Sequence, residues 1–412
     1  MNRTQSASAD DQPQKVKNHN LEWLNGLRGI AALQVVLLHF FAYFYPAFAG
    51  TGTNGRYAEA GTSFYQSPFF FLLDGYTAVH LFFIMSGFVL AMAFENDQRS
   101  FAGKIVKRSI RLALPTAMAT LLSYSLFAAA PTLSQLTYQI THSDWQNDIF
   151  HLKLDTVRMA KEILISNIFV GYQGISILKT TPIADLLQPL ATSGNAPTWS
   201  LHIEFWGSML LLALSSAKKS LPKKYYIVMT LILILTAGTS FYILFLAGFL
   251  SYQFRNQLSE KKYFGAALIA AGILFPYFIP KESLEILFEI SSKTPFLHSE
   301  HPTELIRTLS ASIIFLGILQ SGQAKRTLEL KSFRWLGKIS FSLYLVHFSL
   351  LFTLGAFVML SSFPFIGYIP SSIITFFIFA TVSLLVASAF ERWIDRPAIL
   401  LSRRFTTRRF NK

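Results

Sequence analysis

Apolar residues along this chain gather in long blocks separated by short polar stretches rich in Lys and Arg. The blocks approach the ~20-residue helix needed to cross ~30 Å of hydrocarbon, so the pattern predicts an all-α, polytopic membrane helix bundle. About ten spans can be drawn, at 27–48, 76–95, 109–130, 198–217, 225–240, 241–255, 263–280, 304–321, 339–359 and 370–390. The fifth and sixth share one run around "AGTSFYI", which also admits a shorter helix or a re-entrant pair. No internal repeat is visible.

Orientation follows from the loop charges. With the N-terminus inside, 28 of the 36 Lys and Arg fall in inner segments and 7 in outer ones, which predicts cytoplasmic N- and C-termini. The longest outer segment, 131–197, is expected to be a lid or acceptor-binding surface, and its amphipathic stretch at 160–178 is expected to lie at the interface. Residues 1–20 are polar and read as a disordered cytoplasmic tail, 21–400 as the membrane domain, and 401–412 as a basic cytoplasmic tail. "AFAG" (47–50) resembles a signal cleavage site, but the run before it is too long for an ordinary signal peptide.

Composition narrows the function classes. At 52% apolar and 14% charged, with 40 Phe, the chain is suited to a lipid bilayer rather than to water. A net charge of +14 would admit nucleic acid, but the basic residues sit in short loops, so no nucleic-acid partner is expected. With no cysteine, disulfides, thiolate nucleophiles and Cys-ligated metals are excluded, and no metal site is expected.

Ionisable residues inside apolar spans are the candidates for chemistry. "LNGLRGIAALQVVLLHFF" (24–41) carries Arg28 and His39 eleven residues apart, on nearly one helix face and ~16 Å apart along the axis. Alone, Arg28 also fits a snorkelling anchor and His39 a hydrogen-bonded core histidine. "KRSIRLALP" (107–115) sets Arg108 and Arg111 at i and i+3, suited to gripping a phosphate. "APTWSLHIEFW" (196–206) holds Trp199 and places Glu204 about two turns into a span. "GKISFSLYLVHFSL" (337–350) aligns Ser340, Tyr344 and His347 on one stripe, expected to face the bundle interior. "GYTAVHLFFIMSGFVLAM" (75–92) adds His80 and a Ser86-Gly87 pair that suits close helix packing as well as a site.

Taken in order, the Arg-x10-His of "GLRGIAALQVVLLH", "LFFIMSGFVLA", the Arg-x-x-Arg of "RSIRLALP", "PTWSLHIEFW", "ISFSLYLVH" and the terminal "ERWIDRP" (391–397) resemble the acyltransferase family 3 membrane O-acyltransferases, over about residues 21–400. The resemblance implies a ten-helix domain of a multi-pass protein in the plasma membrane, here a bacterial inner membrane. It implies transfer of an acyl group from cytoplasmic acyl-CoA, with acetyl-CoA the expected co-substrate and no permanently bound cofactor. The acceptor would be a hydroxyl of a carbohydrate or glycoconjugate such as a surface polysaccharide. His39 and Arg28 match the family's essential histidine and arginine, and Glu204, Arg108 and Arg111 fall on its motif positions. Many members carry an additional esterase-like domain; a chain ending at Lys412 is expected to deliver the acyl group itself.

A thioester is already activated, so the chemistry needs a base for the acceptor hydroxyl and positive charge for the donor's phosphates. His39, Arg28 and Glu204 are the expected catalytic set, with Arg108 and Arg111 on the donor. His80, Ser86, Trp199, Tyr344 and His347 are candidates for an acceptor surface or cavity, Glu204 and His347 being expected in the same cavity as His39. The competing classes are a solute or proton-coupled transporter, with His39, Glu204 and His347 as a relay, and a membrane scaffold whose polar residues only lock helices.

Overall fold

A computed structural model describes residues 21–410, except for most of 280–301 and the single positions 54, 153, 179, 180, 183, 239 and 259. The expected 1–20 tail therefore lies outside the described residues. Ten helices occupy the ten predicted blocks: α1 (Glu22–Phe44), α2 (Gly75–Asn96), α3 (Phe101–Ala129), α4 (Trp199–Ser220), α5 (Lys223–Ala237), α6 (Tyr242–Gln253), α7 (Lys262–Phe278), α8 (Pro302–Gln320), α9 (Lys331–Leu350) and α10 (Tyr368–Phe390). No strand occurs among the described residues.

Side-chain caps open two of the spans. The Asp74 carboxylate accepts from the Thr77 amide at 2.9 Å to open α2, and Ser100 accepts from the Gly103 amide to open α3. α9 starts earlier than expected, at Lys331, and runs through a wide turn, Leu351–Gly355, into the helix Ala356–Ile366, while α10 continues past its expected end through the wide turn Glu391–Asp395 into the helix Arg396–Phe410. Residues 401–410 are thus helical, and Ala398, Ser402 and Thr406 are buried along a face that packs on α3.

Six helices among the described residues are individually long and apolar enough to cross a membrane. The remaining expected spans differ for separate reasons. α4 has the length, but His202, Glu204, Lys218 and Lys219 lower its hydropathy. The shared fifth and sixth run breaks at Gly238, whose φ of 51° is left-handed, giving helices of only 15 and 12 residues. The molecule is a polytopic membrane bundle in which long helices carry most of the crossing.

α1 is the central element. Trp23, Leu24, Leu27, Ala31 and Val35 join an apolar cluster built with α2, α6 and α8. Ala32, Val36, Phe40, Tyr43 and Phe44 join a second cluster with α3, α9 and α10. Close backbone approach holds these layers, because lipid supplies little hydrophobic drive between helices. A Cβ on Gly337 would run into the Asn25 carbonyl across the α1–α9 contact. One on Gly248 would come 2.8 Å from the Phe88 amide nitrogen across the α2–α6 contact.

The long segment 131–197 packs into the bundle over part of its length. Its wide turn Glu162–Val170 packs on α3 and α4, and Glu162 is fully buried. That carboxylate accepts hydrogen bonds from Tyr124 at 3.0 Å, Tyr172 at 2.7 Å, the Gly194 amide at 3.2 Å and Ser193. The segment then plugs into the bundle: Asn195 donates to the Leu345 carbonyl at 2.7 Å, and Ser143 to the Ala42 carbonyl at 2.6 Å. Buried polar groups of this kind must be paired, which explains why a polar segment can dip so far.

Candidate functional site

His39 faces α9, where its Nδ1 lies 2.7 Å from Nε2 of the fully buried His347. The other nitrogen of His347, Nδ1, is 3.0 Å from the Leu343 carbonyl, which can only accept. His347 Nδ1 therefore carries a proton, and in the neutral ring Nε2 is an acceptor. His39 must then donate from its own Nδ1, leaving the lone pair of His39 Nε2 unused by this chain of bonds. Trp145, from the helix Asp144–Ile149 of the outer segment, stacks on His39 with ring centres 5.4 Å apart.

A cavity of about 400 Å³ occupies the seam between the two apolar clusters, bordered by Phe83 from one and Leu112 and Leu201 from the other. Its polar lining includes Arg28, Arg108, Arg111, Glu204, Tyr344 and Asp395. Arg108 is buried and ion-paired to Glu204, and the same Glu204 oxygen accepts from the Ser86 hydroxyl at 2.9 Å. Arg28 and Arg111 feel the charges of Glu204 and Asp395, yet neither has a carboxylate oxygen within 4 Å among the described residues. The cavity therefore presents two guanidinium groups with unused donors, an arrangement suited to a phosphate-bearing ligand.

At the cavity's inner end, Tyr344 donates to the Pro197 carbonyl and lies 2.7 Å from the Ser200 hydroxyl. His347 stands one turn further along α9, so the cavity stops short of the histidine pair. The polar stripe of α9 is thus divided: Ser340 and Tyr344 line the cavity, and His347 holds His39.

Several expected positions fall elsewhere. His80 points away from the cavity, with Nδ1 2.9 Å from the Tyr76 carbonyl and Nε2 3.1 Å from Glu304. Trp199 packs on Phe241 with centroids 5.4 Å apart. Glu204 is held by Arg108 and Ser86 rather than by His39, so the two are not hydrogen-bonded and the His39–Glu204–His347 relay is not continuous. Ser86 belongs to the site, whereas its neighbour Gly87 packs against α6, which separates the two readings of that pair. Glu391 and Asp395 were not anticipated as cavity residues, although their i,i+4 spacing in "ERWIDRP" is visible in the sequence; Trp145 carries no such signal.

Comparison with known proteins gives a consistent result. A family model described as an acyltransferase domain matches residues 21–392. The chain is 23% identical over 438 residues to O-acetyltransferase PaAT-1 of Phomopsis amygdali, covering 93% of this chain and 84% of that protein. No solved structure matches.

Proposed function

Because the chain belongs to the acyltransferase domain family, we propose that it is an O-acyltransferase of the plasma membrane, here a bacterial inner membrane, moving an acyl group from cytoplasmic acyl-CoA to a hydroxyl of a carbohydrate or glycoconjugate. Acetyl-CoA is the proposed donor, used as a co-substrate, and no permanently bound cofactor takes part. The name of the fungal relative supports transfer to oxygen. The observation that carries the reading is the cavity with two unpaired arginines, ending at Tyr344 one turn before His347, whose partner His39 keeps an unused Nε2 lone pair.

In this reading Arg28 and Arg111 hold the donor's phosphates and Arg108 keeps Glu204 in place. The assignment shifts one phosphate-binding role from Arg108, whose guanidinium already has a carboxylate, to Arg28. His39 Nε2 takes the proton of the acceptor hydroxyl as that oxygen attacks the thioester carbonyl. The positive charge formed on His39 is shared through Nδ1–H with His347. When the carbon–sulfur bond breaks, the proton on Nε2 passes to the departing thiolate, which restores His39. A neutral imidazole is the side chain best matched to such transfer near neutral pH. Pantetheine lies extended between the phosphates and the thioester, consistent with the ~16 Å rise from residue 28 to residue 39.

The test is release of free coenzyme A from acetyl-CoA by the purified protein in the presence of glycan acceptors, with mass spectrometry of the product. Acceptor-dependent release that vanishes in His39→Ala is expected. Release independent of any acceptor, or equal in His39→Ala, would overturn the reading.

A further inference from the structure

Next to the main cavity lies a second hollow of about 260 Å³ between α9 and α10. Its walls are two facing stripes, Trp335, Lys338 and Ile339 on one side and Ser388, Arg392 and Arg396 on the other. Spacings of three and four residues put each trio on one helix face. Ile339 and Glu391 are buried at its floor, while Trp335, Lys338, Arg392 and Arg396 are exposed at its rim. Lys338 lies 3.5 Å from Glu391. Arg392 and Arg396 have no carboxylate within 4 Å among the described residues. Three cations against one carboxylate leave the hollow with an excess of positive charge.

Its depth and surroundings point to what fills it. Trp335 and Trp393 are 46% and 71% exposed, and exposed indoles favour the level where hydrocarbon gives way to headgroups. From Ser388 an apolar stripe runs back along α10 through Leu385, Ile378 and Ile374, spaced to share the face of Ser388 and exposed at 65%, 38% and 41%. A free phosphate would use the cations and ignore that stripe. A phospholipid uses both, since basic pockets between spanning helices suit anionic headgroups.

The geometry points to a binding site for the phosphate-ester headgroup of an anionic phospholipid between α9 and α10, with its acyl chains along Leu385, Ile378 and Ile374. Lys338 and Glu391 also line the main cavity, so a headgroup that draws Lys338 toward its phosphate changes the charge presented there. This site is independent of the reaction proposed above. The same phosphate chemistry could come from a soluble nucleotide, and the experiment separates the two.

Full-length protein in detergent is titrated with phosphatidylglycerol or phosphatidylcholine and the retained lipid counted by native mass spectrometry. Phosphatidylglycerol is expected to be retained selectively, and R392Q/R396Q to weaken its retention by about tenfold or more, since each basic residue near an anionic surface contributes roughly a factor of five. R392K/R396K keeps the charge and should hold the lipid nearly as well, which guards against a folding defect in the neutral variant. Equal retention of both lipids, or an unaltered R392Q/R396Q, would overturn the site. Displacement of phosphatidylglycerol from the parent by coenzyme A but not by dephospho-coenzyme A would assign the hollow to a soluble nucleotide and overturn the lipid; no displacement supports the lipid.

Discussion

The rings of His39 and His347 lie parallel to within 4°, with Nδ1 of the first 2.7 Å from Nε2 of the second. Together with the bond from His347 Nδ1 to the Leu343 carbonyl, this contact fixes the tautomer and the orientation of His39 near the end of a spanning helix.

If His39 is the base, His39→Ala should lower turnover by about 100- to 10,000-fold while acyl-CoA affinity stays near parental. His347→Ala removes only the orienting bond, so the expected loss is smaller, about 100-fold in kcat with little change in KM for the donor. Steady-state kinetics of both variants, checked for folding by size exclusion, test the ordering. A kcat for His347→Ala equal to the parental value would remove its positioning role.

The arginines should separate by their partners. Arg28→Ala and Arg111→Ala are expected to raise KM for acyl-CoA about 10- to 100-fold, a lost charge-assisted contact being worth ~1.5 to 3 kcal/mol. Arg108→Ala instead leaves the Glu204 carboxylate without its cation and should reduce thermal stability, by up to about 3 kcal/mol. The double variant Arg108→Gln, Glu204→Gln should recover part of that loss. If Arg108→Ala proves fully stable and only donor binding suffers, the assignment of roles is reversed.

The Arg28–His39 relation was legible because helical periodicity alone puts residues eleven apart on one face. The bond to His347 was not, since spacing within each helix says nothing about which helices meet. Glu204 shows the same gap: its depth in α4 marked it as important, but Arg108 as its partner emerged only once α3 and α4 were packed together. The ninth and tenth spans were placed correctly and cut short: hydropathy stops at Lys338 and Glu391 and fades over Ser361 and Ser362, while backbone hydrogen bonding runs on. Trp145 reaches His39 from a segment whose polar composition suggested a surface position.

The buried Glu162 network is expected to hold the outer segment in place. Glu162→Gln replaces an acceptor-only group by one that must also donate, which conflicts with Tyr124, Tyr172 and the Gly194 amide. A loss of about 1 to 3 kcal/mol follows, read as a lower melting temperature in detergent. Parental thermal stability in that variant would mean the network does not hold the segment.

Close packing across α1–α9 gives a further expectation. Gly337→Ala would press a methyl group into the Asn25 carbonyl and should cost about 1 to 3 kcal/mol, whereas Gly174→Ala meets no atom within 4 Å. Gly174 has a positive φ of 78°, so its own substitution should show only the smaller cost of that backbone shape. Parallel thermal melts rank the two.

Topology is checked by chemistry from outside the cell. A cysteine introduced at Asp148 should react with an impermeant thiol reagent in intact cells, and one at Lys219 should not, as the distribution of Lys and Arg demands. The opposite labelling pattern would invert the bundle.

The bond from Tyr344 to the Pro197 carbonyl has a consequence for the membrane as an insulator. It ties the outer segment to α9 at a residue that also lines the arginine cavity. A hydrated passage of that width open at both faces would short-circuit an ion gradient. A bond between the outer segment and α9 at that level works against such leakage.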